Sequence, residues 1–283
     1  MATDLTTRRS EPPIISAAGL NKTYIQRLPF SRKAFAVQAL RNVDFEIVRA
    51  SLTVLAGESG CGKSSLAKCL AAAEKPDSGS IWFEGTELTR LDGCEMASLR
   101  PQIQMVVQDS AGALNPRFTA AEIIAEPQEI QRREDRRGLH SRACELMEEV
   151  GLPASAANRH PLEFSGGQRQ RLAIARALAL QPSLLILDES LSGLDLSTQA
   201  HILNLLLDLQ QRHSLTLLLI SHDLSLVGQI ADFVAVMHQG SMVEQGPCRE
   251  VFSNPCHAHT QELLAAVRII ESTYHAAQAG AGR

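Results

Sequence analysis

The octapeptide Gly57-Glu58-Ser59-Gly60-Cys61-Gly62-Lys63-Ser64 constrains this chain more than any other stretch. Gly57 and Gly62 stand five positions apart, and Lys and Ser follow the second, which is the pattern of a loop that cradles phosphate. A largely apolar run, Leu52 to Ala56, leads in, and a helix-like run, Ser65 to Ala73, follows. Such a loop needs that order of strand, loop and helix. The glycines let the backbone curl so that several N–H groups face one phosphate. The helix start adds partial positive charge at the same place. Lys63 can reach the β- and γ-phosphates, and the Ser64 hydroxyl can ligate Mg²⁺. The plainer reading is an ordinary Gly-rich turn. With Gly at about 7% of average composition, a chance match in a chain this long has odds on the order of one in a hundred.

The chain has 283 residues, enough for one large domain or two small ones. It is 45% hydrophobic and 4% aromatic, which suits an α/β protein with an ample core. A net charge of −4 gives no basic field to hold nucleic acid, so no nucleic-acid partner is expected. No apolar run is long enough to span a membrane. Residues 1–13 are polar, carry Arg8 and Arg9, lack the apolar centre of a signal peptide, and read as a flexible tail. The six cysteines are scattered with no CxxC pair, so disulfide and zinc frameworks are not expected. Cys61 occupies a loop position whose side chain the pattern leaves free, and it could be open to alkylation.

Apolar stretches predict strands at Ile14 to Tyr24, Ala36 to Val48, Ser51 to Ala56, Ser80 to Phe83 and Ile103 to Val107, with a turn at Lys75 to Gly79. From Thr119 to about Ala157 the pattern is helical, and the mixed charges Arg132 to Arg137 read as a solvated face. Gly167 to Leu180, Thr198 to His213 and Leu224 to Ile230 read as helices. Leu184 to Leu187 and Leu215 to Ile220 read as strands, and Phe233 to Met237 with Ser241 to Glu244 as a hairpin turning at Gln239-Gly240. Strands alternating with helices predict a mostly parallel sheet covered on both faces, with a helical subdomain inserted at about 110–180. The end, from Arg249, looks helical.

Leu184-Leu185-Ile186-Leu187-Asp188-Glu189 is an apolar strand ending in two acids. Alone it is a weak signal. With a phosphate loop upstream, Asp188 becomes a candidate Mg²⁺ ligand and Glu189 a candidate base for the attacking water. Ser165-Gly166-Gly167-Gln168 opens a long helix. It reads as a turn with a Ser N-cap and, equally, as an anion site at a helix start. Gln108 follows a short strand and His222 follows another. Taken singly, each is more often structural than catalytic.

In this order and spacing, with Asp195 in Ser192-Gly193-Leu194-Asp195, the chain resembles the nucleotide-binding subunits of ABC transporters over about residues 14–246. Ser-Gly-Gly-Gln is the specific element. The resemblance implies a P-loop NTPase core with a mostly parallel sheet, an N-terminal antiparallel β subdomain and an inserted helical subdomain, followed by a tail at 247–283. It implies ATP and Mg²⁺ as cofactors. Gly57 to Ser65 contact nucleotide, and Ser64, Gln108 and Asp188 hold Mg²⁺. Tyr24 stacks on adenine, although Phe30 and Phe35 lie in the long loop nearby. Ser165, Gly166, Gly167 and Gln168 form the signature motif, Asp195 is the D-loop aspartate, and Glu189 and His222 are catalytic. Phe164 stands where Leu is usual and Gly193 where Ala is common; neither change removes a catalytic group.

Finer features resemble the dipeptide, oligopeptide and nickel importer branch: Gln108-Asp109-Ser110, then Ala113 to Arg117, Glu122 to Pro127, and a tail Asn254-Pro255-Cys256-His257-Ala258-His259-Thr260 in which Ala258-His259 replaces Pro-Tyr. Some members carry a cysteine-rich segment for an iron–sulfur cluster, and none is expected here. Cys256, His257 and His259 could form a metal site, but a docking tail is the plainer account. The resemblance implies a head-to-tail pair of ATPase subunits, identical or different, two membrane permeases, and an external substrate-binding protein. The chain would sit peripherally on the cytoplasmic face of the membrane and power solute import by ATP hydrolysis. The alternative is the ATPase of a carbon–phosphorus lyase complex.

Overall fold

The computed structural model describes residues 12–27, 34–107, 110–131, 136–191, 193–221, 228 and 230–266. Its elements run β1 (Ile15–Arg27), β2 (Ala34–Ile47), β3 (Leu52–Ala56), α1 (Lys63–Leu70), β4 (Ser78–Phe83), β5 (Thr86–Glu87), α2 (Gly93–Leu99), β6 (Ile103–Val106), α3 (Ser110–Ala113), α4 (Ala120–Ile130), α5 (Arg136–Glu149), α6 (Gly166–Leu178), β7 (Leu184–Asp188), α7 (Leu196–His213), β8 (Thr216–Ile220), β9 (Phe233–His238), β10 (Ser241–Pro247) and α8 (Cys248–Ser253). A further helix, α9, occupies 258–266. The expected helix Leu224 to Ile230 and the charge run at 132–135 fall on positions outside the described residues.

The chain divides into two compact units, 1–91 with 218–283, and 92–217. In the first unit, β1 pairs antiparallel with both β2 and β4, and β5 extends the edge. Val43, Phe45 and Ile47 alternate inward while Asp44 and Glu46 face out, the period that makes β2 a strand with one covered face. β4 starts at Ser78, inside the expected turn, because Gly79 (φ +95°) lies hard against β1: a Cβ there would sit 2.5 Å from the Gly19 carbonyl oxygen. In the same unit β3 runs parallel to β9, and β9 turns through Gln239 and Gly240, both at positive φ, into antiparallel β10. β3 is buried along its whole length, as a strand covered on both faces must be.

The second unit holds β6 and β7 in parallel register, from Ile103 opposite Leu184 to Val106 opposite Leu187. Helices α4, α5 and α6 pack on one another beside them. The helix starts are set by side chains: Asp92 with Glu95, Thr119 with Glu122, and Ser165 with Gln168 each close a reciprocal capping box. Arg176 of α6 reaches Glu126 of α4 at 2.8 Å; with both about a third exposed, the pair adds little beyond orientation. This unit takes in the expected helical stretch together with β6, β7 and α7. Among the described residues no helix is long and apolar enough to cross a membrane.

Candidate functional site

The loop after β3 is shaped by what its glycines touch. At Gly57 (φ +145°) a Cβ would lie 2.3 Å from the Met237 carbonyl oxygen, and at Gly62 (φ +112°) 2.3 Å from that of Ala39. No side chain fits at either place, and L-residues also avoid that backbone. The loop is further tied to the β9–β10 turn, where the Gly240 N–H donates to the Cys61 carbonyl at 2.9 Å. Gly62 caps α1, so Lys63, Ser64 and Ser65 form its first turn, whose N–H groups have no acceptor within the helix. Lys63 is 4% exposed, and its Nζ donates to the carbonyls of Gly57 and Glu58, both at 2.8 Å. A buried ammonium, a helix start and a loop wound around glycine form a donor set that fits a polyphosphate.

Cys61 is buried rather than free. Desolvation pushes its thiol up, against the opposing pull of the Lys63 charge, so it is a poor nucleophile and alkylation is not favoured. Tyr24 lies on β1 opposite Val37 of β2. Its hydroxyl donates to Glu74 Oε2 at 2.6 Å, and Lys22 Nζ stands 5.6 Å from the ring centroid. Burial and the Glu74 contact raise the Tyr24 phenol, and the Tyr24 hydrogen bond lowers Glu74. Tyr24 and Gly57 to Ser65 belong to one unit. Phe35 is half exposed, whereas Phe30 is outside the described residues.

In the second unit, Leu184 to Leu187 are fully buried. Each buried leucine stabilises by about 1.5–3 kcal/mol, which fixes the strand end that carries Asp188. Asp188 is 5% exposed, and Glu189 takes a left-handed backbone, φ +44°. That conformation costs a non-glycine residue about 1–3 kcal/mol and gathers at functional positions. Ser165 caps α6: its N–H donates to Gln168 Oε1 at 2.9 Å, and its hydroxyl accepts from the Gln168 N–H at 3.3 Å. A Cβ on Gly167 would lie 2.5 Å from Thr198 Cγ2, and one on Gly166 3.4 Å from Leu194 Cδ2. The Ser165–Gln168 turn thus rests on the start of α7. There Asp195 is the cap, accepting from the Thr198 N–H (2.9 Å) and hydroxyl (2.8 Å), donations that hold its carboxyl below the usual range.

Ser64 and Asp188 offer hard oxygens of the kind Mg²⁺ takes. Gln108, Ser192 and His222 lie outside the described residues. Sequence reasoning passes over three features. The carbonyls of Ala39 and Met237 press on the loop, Thr198 binds Asp195, and Glu58, His238 and His259 bring their donor atoms within 4.8 Å of one another. Only the last has a sequence signal, the histidines themselves. Local spacing groups His257 with His259, whereas the fold sets His259 beside His238, with ring centroids 3.9 Å apart.

A sequence model of the ABC transporter family matches residues 40–192. A probable peptide ABC transporter ATP-binding protein of Sinorhizobium fredii is 44% identical over 257 residues, 90% of this chain and 73% of that one. The dipeptide transport ATP-binding protein DppF of Escherichia coli is 42% identical over 260 residues, 90% and 77% respectively. Among solved structures, the dimeric ABC transporter cassette MJ0796 superposes with a TM-score of 0.73 at 28% identity, over 83% of this chain and 99% of that one. The same cassette in a post-hydrolysis state with ADP and phosphate gives 0.72 at 26% identity, with the same coverage.

Proposed function

The chain belongs to the ABC transporter family, and on that footing we propose that it is the ATP-hydrolysing subunit of a peptide importer. The carrying observation is the glycine-bound loop that holds buried Lys63 at the start of α1. The fold is the α/β fold of the ABC ATPase cassettes, and the chain is an ATPase of that kind. Peptide import is supported by the Sinorhizobium and Escherichia relatives, which are peptide and dipeptide transport subunits. Neither is a carbon–phosphorus lyase subunit, so that alternative draws no support from them.

The residue roles follow from chemistry. The N–H groups of Gly60 to Ser65 and the Lys63 ammonium bind the phosphates of ATP, and Tyr24 receives the adenine. Ser64 and Asp188, with Gln108, would hold Mg²⁺, which would offset charge on the phosphates. Glu189 accepts the proton of the attacking water and His222 steadies the γ-phosphate. Phosphoryl transfer needs positioning and charge stabilisation above all.

Ser165 to Gln168 serve the ATP of a second subunit. Support comes from their setting: Ser165, Gly166 and Gln168 are exposed, as are Leu162, three residues before the cap, at 78% and Leu196, the first residue of α7, at 63%. Exposed apolar residues at the starts of two helices in one unit suit a face that is covered on dimerisation. The partner is an ABC ATPase subunit, and the pair acts on two permeases fed by an external substrate-binding protein. The chain sits peripherally at the cytoplasmic face of the membrane.

The test is peptide uptake by cells in which this gene is deleted and replaced by wild type or by Lys63→Ala. Uptake restored by wild type alone supports the proposal. Unchanged uptake in the deletion strain, with ATP hydrolysis intact in the purified chain, overturns the peptide assignment and leaves the ATPase.

A further inference from the structure

We propose that Glu58, His238 and His259 form a divalent-cation site of the Zn²⁺ class that joins α9 to the phosphate loop. Among the described residues, this is the group of His, Cys, Asp or Glu side chains whose donor atoms approach closely enough, all within 4.8 Å of one another. The second observation is independent of that spacing. His259 is 6% exposed, and its Nε2 has no hydrogen-bond partner; His238 Nδ1 is likewise buried and unpartnered. Buried polar atoms almost always find a partner. The two rings are stacked, tilted 40° with centroids 3.9 Å apart, so a cation shared by their nitrogens would lie at the ring edges beside the Glu58 carboxylate. The other His259 nitrogen lies 3.8 Å from the exposed Glu262 carboxylate, too far for a hydrogen bond.

The fold explains why residues so far apart in sequence meet. Gly57 lies against the Met237 carbonyl and Gly240 donates to Cys61, so the end of β9 is bound to the loop and His238 comes beside Glu58. Glu244 on β10 accepts from the N–H groups of Cys256 (2.9 Å) and His257 (3.1 Å), and this sets α9 so that His259 turns inward. Two imidazoles and a carboxylate, with a fourth position left for water, are a Zn²⁺ donor set. Tetrahedral bonds of about 2.0–2.1 Å need donors about 3.4 Å apart. Glu58 is exposed and can rotate to close that difference, and the two stacked rings would part by about 1 Å on binding. Its backbone carbonyl is one of the two that hold Lys63, so the cation would fix the residue next to the phosphate-binding ammonium. The site stands on its own residues and does not depend on the nucleotide reading.

The experiment is a cobalt(II) titration of the full chain, purified without a histidine tag and free of nucleotide. Saturation at one equivalent with the visible absorption of a tetrahedral site, displaced by Zn²⁺, is expected. His259→Tyr and Glu58→Gln should each weaken binding by at least about tenfold, whereas Cys256→Ser should leave it unchanged. No visible band in wild type overturns the proposal. So does binding that survives His259→Tyr or that disappears in Cys256→Ser. Melting of the metal-free variants checks their folding. If His259→Tyr does not fold, X-ray absorption of the zinc-loaded wild type decides: two imidazoles and one carboxylate support the site, and any sulfur ligand overturns it.

Discussion

The Gly57–Ser65 loop and the Ser165–Gln168 turn both open helices, yet their glycines answer to different neighbours. In the loop, backbone carbonyls from β2 and β9 stand where a Cβ would be. In the turn, Gly166 meets only the end of a leucine side chain and Gly167 only a threonine methyl, while Ser165 and Gln168 satisfy each other. The loop's composition is explained inside the chain. The turn's is explained only in part: the Thr198 methyl keeps Gly167 small, but nothing within its own unit demands a glycine at exposed position 166. That contrast is the physical reason to look for the turn's partner outside the molecule.

The sharpest way to break the contrast is to add one methyl group at each place. Gly62→Ala puts a Cβ 2.3 Å from the Ala39 carbonyl at φ +112°, so backbone must move. We expect ATP binding to disappear and the melting temperature to fall. Gly166→Ala sits in the first turn of α6 with its nearest contact at 3.4 Å, and replacing glycine in a helix gains up to about 1 kcal/mol. That variant should melt no lower than wild type and bind ATP as a monomer, yet lose ATP-driven dimerisation on size exclusion. Equal destabilisation of the two variants would end the distinction.

Catalysis comes next in size. Glu189→Gln keeps shape and loses the base, so hydrolysis should fall on the order of 10²-fold while ATP binding survives and an ATP-bound dimer accumulates. Turnover near wild type would pass the role to His222. Lys63→Ala removes charge-assisted contacts worth about 1.5–3 kcal/mol each, so ATP affinity measured by fluorescence titration should drop about tenfold or more. Unchanged affinity would sink the phosphate-loop assignment.

The same contrast explains what can be read from the chain. The loop is legible because its requirements recur at fixed local spacing, and the strands because burial alternates or is continuous. What cannot be read is long-range contact. Nothing near Gly62 announces Ala39, and nothing near Cys61 announces that its thiol is buried. β4 begins two residues early because Gly79 meets β1, a contact with no local sign. The histidines mislead for the same reason: local spacing groups His257 with His259, and the fold chooses His238. The Ser165–Gln168 turn is legible only by resemblance, since its own geometry is that of an ordinary capped helix.

A smaller effect tests whether those caps merely hold helices. Ser165→Ala removes an N-cap acceptor and should cost about 1 kcal/mol in thermal stability. A loss of dimerisation far beyond that would mean Ser165 also meets the partner's phosphate. Ser165→Glu sharpens the point. A carboxylate facing that phosphate should abolish dimerisation and hydrolysis while monomer ATP binding stays nearly intact. Loss of ATP affinity in the isolated monomer would place the motif in its own subunit's site.

The smallest expected effect is a pH dependence at the start of α7. Thr198 donates through both its N–H and its hydroxyl to Asp195, and these bonds favour the carboxylate over the acid. The folded-state pKa is therefore depressed. The stabilisation is complete above the unfolded value of about 3.9 and is lost as pH falls through the folded one. Asn caps a helix about as well as Asp but does not titrate. The difference in melting temperature between wild type and Asp195→Asn should hold steady between about pH 5 and 7 and shrink below about pH 4. Asp195 is fully exposed, so added salt should also reduce it. A gap that ignores both pH and salt would mean that the ionic character of this cap does nothing for the fold. Asp195 would then be held, like Gly166 of the neighbouring turn, by something outside the chain.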